Sequence, residues 1–115
     1  MSEYKHILVA VDGSKNANRA FSEAVDIAKR NQATLYLVAV INEEELKTSS
    51  FAYSKVFNEE KKRIEIDTLK RIQEAEERGV PEIQAIVEAG EPAEIICTMV
   101  PNSYPIDLII VGATG

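Results

Sequence analysis

Residues 7–14 of this chain read Ile-Leu-Val-Ala-Val-Asp-Gly-Ser, and this stretch decides the fold class. Its five apolar residues, rich in β-branched side chains, predict a short strand that is buried on both faces of a sheet. The Asp-Gly-Ser that follows predicts a turn, and Ser14 is a suitable N-cap for a helix starting there. A strand buried on both faces is typical of a parallel sheet covered by helices.

The rest of the chain continues this alternation of strand and helix. A helix of about four turns is predicted after Ser14, because apolar residues recur at helical spacing as far as Ala28. The remaining elements are predicted to be a strand over 34–41, a loop over 42–53, a helix over 53–78 closed by Gly79, a strand over 83–87, a helix from about 93 to 100 and a strand over 107–111.

Strands separated by crossover helices pair in parallel through right-handed connections. The alternation therefore predicts an α/β fold, an open parallel sheet in a three-layer sandwich. In the common strand order 3-2-1-4 the chain reverses its direction across the sheet between the first and fourth strands, and ligands bind beyond the carboxyl ends of strands at such a switch point. Residues 12–14 and 112–115 both follow strands that end there.

Length and charge exclude several classes of protein. The chain has 115 residues and a net charge of −6, which argues against a nucleic-acid-binding surface and against an anionic membrane surface. It lacks a signal peptide and an apolar run long enough to cross a bilayer, so one cytoplasmic domain over residues 1–115 is expected. The single histidine, His6, is expected to be a structural or surface residue away from the crevice, and the single cysteine, Cys97, to pack in the interior.

The long helix is expected to be a solvated surface helix. Its charges recur at a spacing that favours ion pairs along one helix. The expected pairs are Glu59 with Arg63, Lys61 with Glu65, Asp67 with Arg71 and Glu74 with Arg78.

The two loops at the switch point carry the candidate chemistry. Gly112 and Gly115 allow a phosphate to approach the main chain closely. Asp12 can accept hydrogen bonds from ribose hydroxyls or hold a divalent ion such as Mg²⁺; alternatively, Asp12 and Gly13 only form a turn. Ser14 is first an N-cap and second a ligand contact. The chain has no P-loop pattern and no cluster of metal ligands in its sequence.

Over its whole length the chain resembles the universal stress protein family. The residues that carry the resemblance are 7–14, the strand end 38–41, Gly90-Glu91-Pro92 followed by Ile95-Ile96, and 107–115. The resemblance implies an open, Rossmann-like sheet of five parallel strands, a homodimer and, in one branch of the family, a bound ATP. In that branch the residue matching Asp12 contacts ribose and the residue matching Val40 contacts adenine.

In the same branch the phosphates lie on a motif of Gly-x-x-Gly, nine further residues, and then Gly and Ser or Thr. This sequence matches only the first half, with Gly112 and Gly115. We therefore expect a domain that is incomplete at its C-terminus and lacks the fifth strand, so that the fourth strand is an exposed apolar edge.

The leading hypothesis is a regulatory ATP-binding protein of the stress response with little or slow hydrolysis, because neither loop aims a lysine or arginine at the phosphates. One alternative is a dimeric protein-interaction module that binds no nucleotide. Another is an adenylating or nucleotide-cleaving enzyme, whose usual Ser-Gly-Gly-x-Asp-Ser loop is absent. The candidate nucleotide contacts are Ala10, Asp12, Gly13, Ser14, Val40, Gly112 and Gly115.

Overall fold

The computed structural model describes residues 4–11, 15–42 and 53–112, and it contains a parallel sheet of four strands in the order β3-β2-β1-β4. This confirms the predicted α/β class and the strand order. The elements are β1 (His6–Val11), α1 (Lys15–Asn31), β2 (Thr34–Asn42), α2 (Tyr53–Glu77), β3 (Glu82–Gly90), α3 (Pro92–Glu94), a π-helical turn (Ile95–Met99), α4 (Val100–Ser103) and β4 (Leu108–Ile110).

Two strands differ in length from the prediction. β3 runs on to Gly90, although its last residues are weak strand formers, because it pairs in register with all of β2, from Thr34 beside Glu82 to Asn42 beside Gly90. β4 is shorter than predicted and pairs with β1 alone over three residues. The lengths of β3 and β4 thus depend on pairing with a neighbouring strand, which cannot be predicted from the local sequence.

The last helical segment is continuous but changes its hydrogen-bonding pattern. α3, the π-helical turn and α4 follow one another without a break, and together they are called helix 92–103 below. Pro92 lies at its start, where a missing N–H costs nothing. Ile95 and Val100 are its buried residues and anchor it to the sheet.

The sheet separates two apolar layers, as the strict alternation of side chains along a strand requires. Ile7, Val9 and Val11 of β1 face α1 and α2, where Phe21 and Ala75 are among the buried residues. Leu8 of the same strand faces helix 92–103. We call these two sides the α1–α2 face and the 92–103 face. The three-layer arrangement is therefore confirmed.

α2 ends at Glu77, and Gly79 just beyond it has a φ of +99°, as expected for the glycine that closes this helix. Of the ion pairs expected along it, Arg71 with Asp67 and Arg78 with Glu74 are present. The pairing of Glu59 with Arg63 is wrong, because Arg63 contacts Glu60 instead. None of the described helices is long and apolar enough to cross a membrane.

Candidate functional site

The switch point of the sheet lies between β1 and β4. β1 is central and pairs with β2 on one side and with β4 on the other. The chain therefore runs from β1 toward β2 and β3 on one side, and then returns to add β4 on the other side of β1. Val9 lies beside Ile110, and continuing this register by two residues brings Val11 level with Gly112. The carboxyl ends of β1 and β4 therefore lie side by side at the same edge of the sheet, where a crevice is expected.

Two of the predicted site residues form a small apolar shelf below this edge. Ala10 and Val40 lie on neighbouring strands and on the 92–103 face, and Ala10 pairs in register with Val38. Both are only half-buried, and Ile96 of helix 92–103 packs against the same cluster. A flat, uncharged ring can lie on such a surface and remove it from water.

Gly112 is half-buried and lies two residues beyond Ile110, the last residue of β4. The absence of a side chain there leaves the main chain open to close approach. Asp12, Gly13, Ser14 and Gly115 lie outside the described residues, so their part in the site stays a prediction. The structure thus brings three of the seven predicted contacts, Ala10, Val40 and Gly112, to one edge of the sheet.

The start of helix 92–103 lies at the same edge, after β3, and its amides are already satisfied. The Glu91 carboxylate accepts hydrogen bonds from the backbone N–H of Ala93 at 3.2 Å and of Glu94 at 2.9 Å. An anion would have to displace this carboxylate to use those donors. Sequence reasoning missed this role because glutamate is an uncommon N-cap; the signal was its position directly before Pro92.

The opposite edge of the sheet holds the aromatic cluster His6, Tyr36 and Tyr104. His6 Nδ1 lies 3.3 Å from the Tyr36 hydroxyl, and the Tyr36 and Tyr104 rings are 5.2 Å apart. Burial raises the pKa of the Tyr36 hydroxyl, with smaller contributions from Glu82 and Tyr104. His6 therefore contacts Tyr36 at the amino end of β1 and lies away from the crevice, as predicted.

Cys97 was expected to pack in the interior, and this is wrong. It is exposed on the π-helical turn. Helix 92–103 buries Ile95 and Val100 instead, and Cys97 lies between them on the exposed side of the helix.

A polar groove of about 420 Å³ separates α1 from α2 on the other side of the sheet. Its two arginines, Arg71 and Arg78, are paired within the fold. Arg71 Nε donates to Asp67 at 3.0 Å, with its guanidinium 5.1 Å from the centre of the Phe21 ring. Arg78 Nη2 donates to Asp26 at 2.9 Å and to Ser22 Oγ at 3.2 Å. These contacts join the two helices.

Within the part of the chain that the structure describes, no three His, Cys, Asp or Glu side chains come together as a metal site. Asp12 lies outside that part. The described residues of the crevice, Ala10, Val40 and Gly112, offer apolar surface and open main chain.

The sequence profile of the universal stress protein family matches residues 3–115. A protein of Staphylococcus haemolyticus named as a universal stress protein is 39% identical over 116 residues, which cover 100% of this chain and 70% of that protein. One from Staphylococcus saprophyticus is 40% identical, with 100% of this chain and 69% of that protein covered.

Solved structures agree with these sequence matches. The universal stress protein UspA from Lactobacillus plantarum superposes with a TM-score of 0.89 at 30% identity, over 100% of this chain and 81% of that one. A universal stress protein in complex with cAMP superposes with a TM-score of 0.70 at 19% identity, over 94% and 72% of the two chains, and shows the same fold. Profile, relatives and structures together show that this chain belongs to the universal stress protein family.

Proposed function

We propose that this chain binds an adenine nucleotide, ATP, in the crevice between the carboxyl ends of β1 and β4, and acts as a cytoplasmic regulatory protein of the stress response. The observation that carries the proposal is the switch point itself, with Gly112 level with the end of β1 and the shelf of Ala10 and Val40 beside it. An open parallel sheet binds its ligand at this place.

The parts of a nucleotide match the parts of the crevice. The adenine ring would lie on Ala10 and Val40, whose half-buried side chains expose apolar surface to it. The phosphates would lie against the main chain at Gly112 and Gly115, and Gly13 and Ser14 would contact them from the loop after β1. A universal stress protein of the same fold is in complex with cAMP, which supports an adenine nucleotide as the ligand class.

Asp12 has two roles open to it in this proposal. Its carboxylate would accept hydrogen bonds from the ribose hydroxyls, or it would hold a Mg²⁺ ion that accompanies the phosphates. Either role places the acid beside the sugar end of the phosphate chain, at the carboxyl end of β1.

Little or slow hydrolysis is expected at this site. Phosphoryl transfer is accelerated chiefly by cations that neutralise the charge developing on the transferred group. The described crevice residues Ala10, Val40 and Gly112 are uncharged. Binding can therefore be tight while the chemical step stays slow.

The direct test is to purify the protein without added nucleotide, denature it and identify any released small molecule by mass spectrometry. Titration calorimetry with ATP then measures the affinity. Stoichiometric ATP, or tight binding of added ATP, supports the proposal. Absence of both would reject nucleotide binding and leave the interaction module as the function.

Two variants locate the site if ATP binds. Asp12→Ala should weaken binding by about 1 to 3 kcal/mol, as for the loss of a charge-assisted hydrogen bond. Glu76→Ala, which removes an exposed carboxylate from α2, is the matched control and should leave the affinity unchanged. Gly112→Val should block the approach of the phosphates. Unchanged affinity in Asp12→Ala would remove that residue from the site, and ATP binding that survives Gly112→Val would reject the loop.

A specific observation also favours the second candidate, a dimeric protein-interaction module. Ile109 of β4 is 40% exposed, and Val111, just after this strand, is 56% exposed. In the described sheet β4 pairs only with β1. Apolar side chains at a strand edge favour association with another chain. Sedimentation velocity with Val111→Lys as the variant tests this, since a homodimer formed there would dissociate.

A further inference from the structure

The carboxyl end of β3 lies beside the apolar shelf of Ala10 and Val40. Glu88 of β3 pairs in register with Val40 of β2, and β2 in turn lies next to β1, which carries Ala10. Neighbouring strands of a sheet are about 4.8 Å apart, and residues in register on parallel strands project to the same side. The Glu88 side chain is therefore the immediate neighbour of Val40.

The packing of β3 shows which face of the sheet Glu88 occupies. Ile86 belongs to the apolar cluster of the 92–103 face, whereas Val87 packs against the cluster of the α1–α2 face. Side chains alternate along a strand, so Glu88 lies on the 92–103 face with Ile86. Gly90 follows the same alternation, since a Cβ there would lie 3.0 Å from Ile95 Cδ1. Glu88 and the shelf thus share one face of the sheet.

The Glu88 carboxylate is half-buried and has no partner within the part of the chain that the structure describes. The sequence from Gly79 to Gly115 contains no lysine, arginine or histidine, and β2 contains none either. β2, β3, helix 92–103 and β4 therefore offer this carboxylate no cation. A partly buried polar group without a partner is unfavourable, so the position favours a ligand that brings a hydrogen-bond donor.

The other two glutamates near this end of β3 are placed differently. Glu91 is exposed, and its carboxylate already accepts from the backbone N–H of Ala93 and of Glu94. Glu94 is also exposed, on the first turn of helix 92–103. Of these three acids, Glu88 is the half-buried one whose carboxylate is open to a ligand on the shelf.

The order of the strands sets the direction in which a nucleotide would lie. Across the sheet from β3 to β4, the residues near the carboxyl edge are Glu88, Val40, Ala10 and Gly112. Three strand spacings separate the two ends of this row, about 14 Å, which an extended nucleotide can span. Glu88 repels phosphate, whereas Gly112 leaves the main chain open to it. Charge thus favours the base toward β3 and the phosphates toward β4.

We propose that the Glu88 carboxylate accepts a hydrogen bond from the exocyclic amino group of the adenine base and so makes the site selective for a 6-amino purine. The proposal rests on the proposed function and concerns the base end of the ligand, where Ala10, Val40 and Glu88 all belong to the described residues. An amino group at the 6-position donates to a carboxylate. A keto oxygen at the same position is an acceptor, and a carboxylate disfavours it.

The first test uses the wild-type protein. Calorimetry compares ATP with purine riboside triphosphate, which is ATP without the amino group, and with GTP, which has a keto group at the 6-position. ATP should bind about three- to tenfold more tightly than purine riboside triphosphate, as for the loss of one hydrogen bond to a carboxylate. ATP should also bind more tightly than GTP.

Equal affinities for ATP and purine riboside triphosphate would overturn the assignment. GTP that binds as tightly as ATP would also overturn it, because the carboxylate would then be accepting from the ring N–H and amino group of guanine.

The second test compares Glu88→Ala with Glu94→Ala, which removes the same charge from an exposed position at the same edge. The ratio of the ATP and purine riboside triphosphate affinities is measured, because a general change in charge alters the binding of both ligands alike. In Glu88→Ala the two affinities should come within about twofold of each other, and in Glu94→Ala the wild-type ratio should remain. Thermal unfolding of both variants checks that the fold is kept.

A wild-type ratio in Glu88→Ala, or the same loss of preference in both variants, would overturn the assignment while nucleotide binding stands. A wild-type protein that binds none of the three ligands would instead reject the proposed function, and this inference with it.

Discussion

The two faces of the sheet are covered to different extents. Two helices cover the α1–α2 face, where Ile7, Val9 and Phe21 are almost completely buried. Among the described residues, helix 92–103 alone covers the other face, where Leu8 is buried and Ile109 is 40% exposed. The residues proposed to hold adenine, Ala10 and Val40, lie on this less covered face. Stability is therefore concentrated on one side of the sheet and available binding surface on the other.

The largest effect expected from this difference is at Phe21. Phe21→Ala removes a fully buried ring and the surface on which the Arg71 guanidinium rests. We expect it to lower the free energy of unfolding by about 3 to 5 kcal/mol in urea titrations. Val111→Ala, on the opposite side and 56% exposed, should change the free energy by less than about 0.5 kcal/mol. Similar losses in the two variants would contradict the comparison.

A glycine gives the next largest effect, on the 92–103 face. Gly90 has a φ of +152°, and a Cβ there would lie 3.0 Å from Ile95 Cδ1. Gly90→Ala should therefore destabilise the protein by about 1 to 3 kcal/mol, mainly through backbone strain, as measured by urea unfolding.

Ile95→Val separates strain from steric overlap at Gly90, because it removes the Cδ1 atom that a new Cβ would meet. We expect Gly90→Ala to cost nearly as much in the Ile95→Val background as in the wild type. If the cost largely disappears there, the side-chain contact, and not φ, is what requires glycine.

Much of this fold could be predicted because its elements are encoded locally. The apolar run over 7–11 is sufficient to predict a strand, and Gly79 is sufficient to predict the end of a helix. The lengths of β3 and β4 could not be predicted, since each depends on its pairing partner. The change to a π-helical turn at 95–99 likewise had no local signal.

The candidate site divides in the same way. The positions of Ala10, Val40 and Gly112 at one edge follow from strand order and register, which the alternation of elements predicts. Glu91 was missed for a different reason: its residue type is uncommon as a helix cap.

A smaller effect, of opposite sign, is expected within the α1–α2 face. Thr68 is 4% exposed, and its Oγ1 is buried without a hydrogen-bond partner. Replacing this hydroxyl with a methyl group of the same shape should stabilise the fold, so Thr68→Val is expected to gain about 0.5 to 1 kcal/mol. Thr98→Val, the same change at an exposed position of helix 92–103, is the control for helix propensity. Equal shifts in the two urea midpoints would show that the buried hydroxyl costs nothing.

The smallest effect at neutral pH is expected at Tyr36, on the 92–103 face. Burial raises the pKa of its hydroxyl, so the fold disfavours the ionised form, and Glu82 and Tyr104 add to this. In the unfolded chain the Tyr36 hydroxyl ionises at about pH 10. The stability that the buried neutral hydroxyl contributes is therefore complete below that pH, and it is lost as the pH rises through the pKa of Tyr36 in the folded protein.

Tyr36→Phe tests that sign directly. At neutral pH it loses only the 3.3 Å contact with His6, on the order of 0.5 kcal/mol. Above about pH 10 its free energy of unfolding should fall less steeply than that of the wild type, because the group whose ionisation opposes folding is gone. Tyrosines titrate over roughly pH 9 to 11. If the free energies of unfolding of the variant and the wild type fall in parallel over this range, water reaches Tyr36 on the less covered face and lets it ionise in the folded protein.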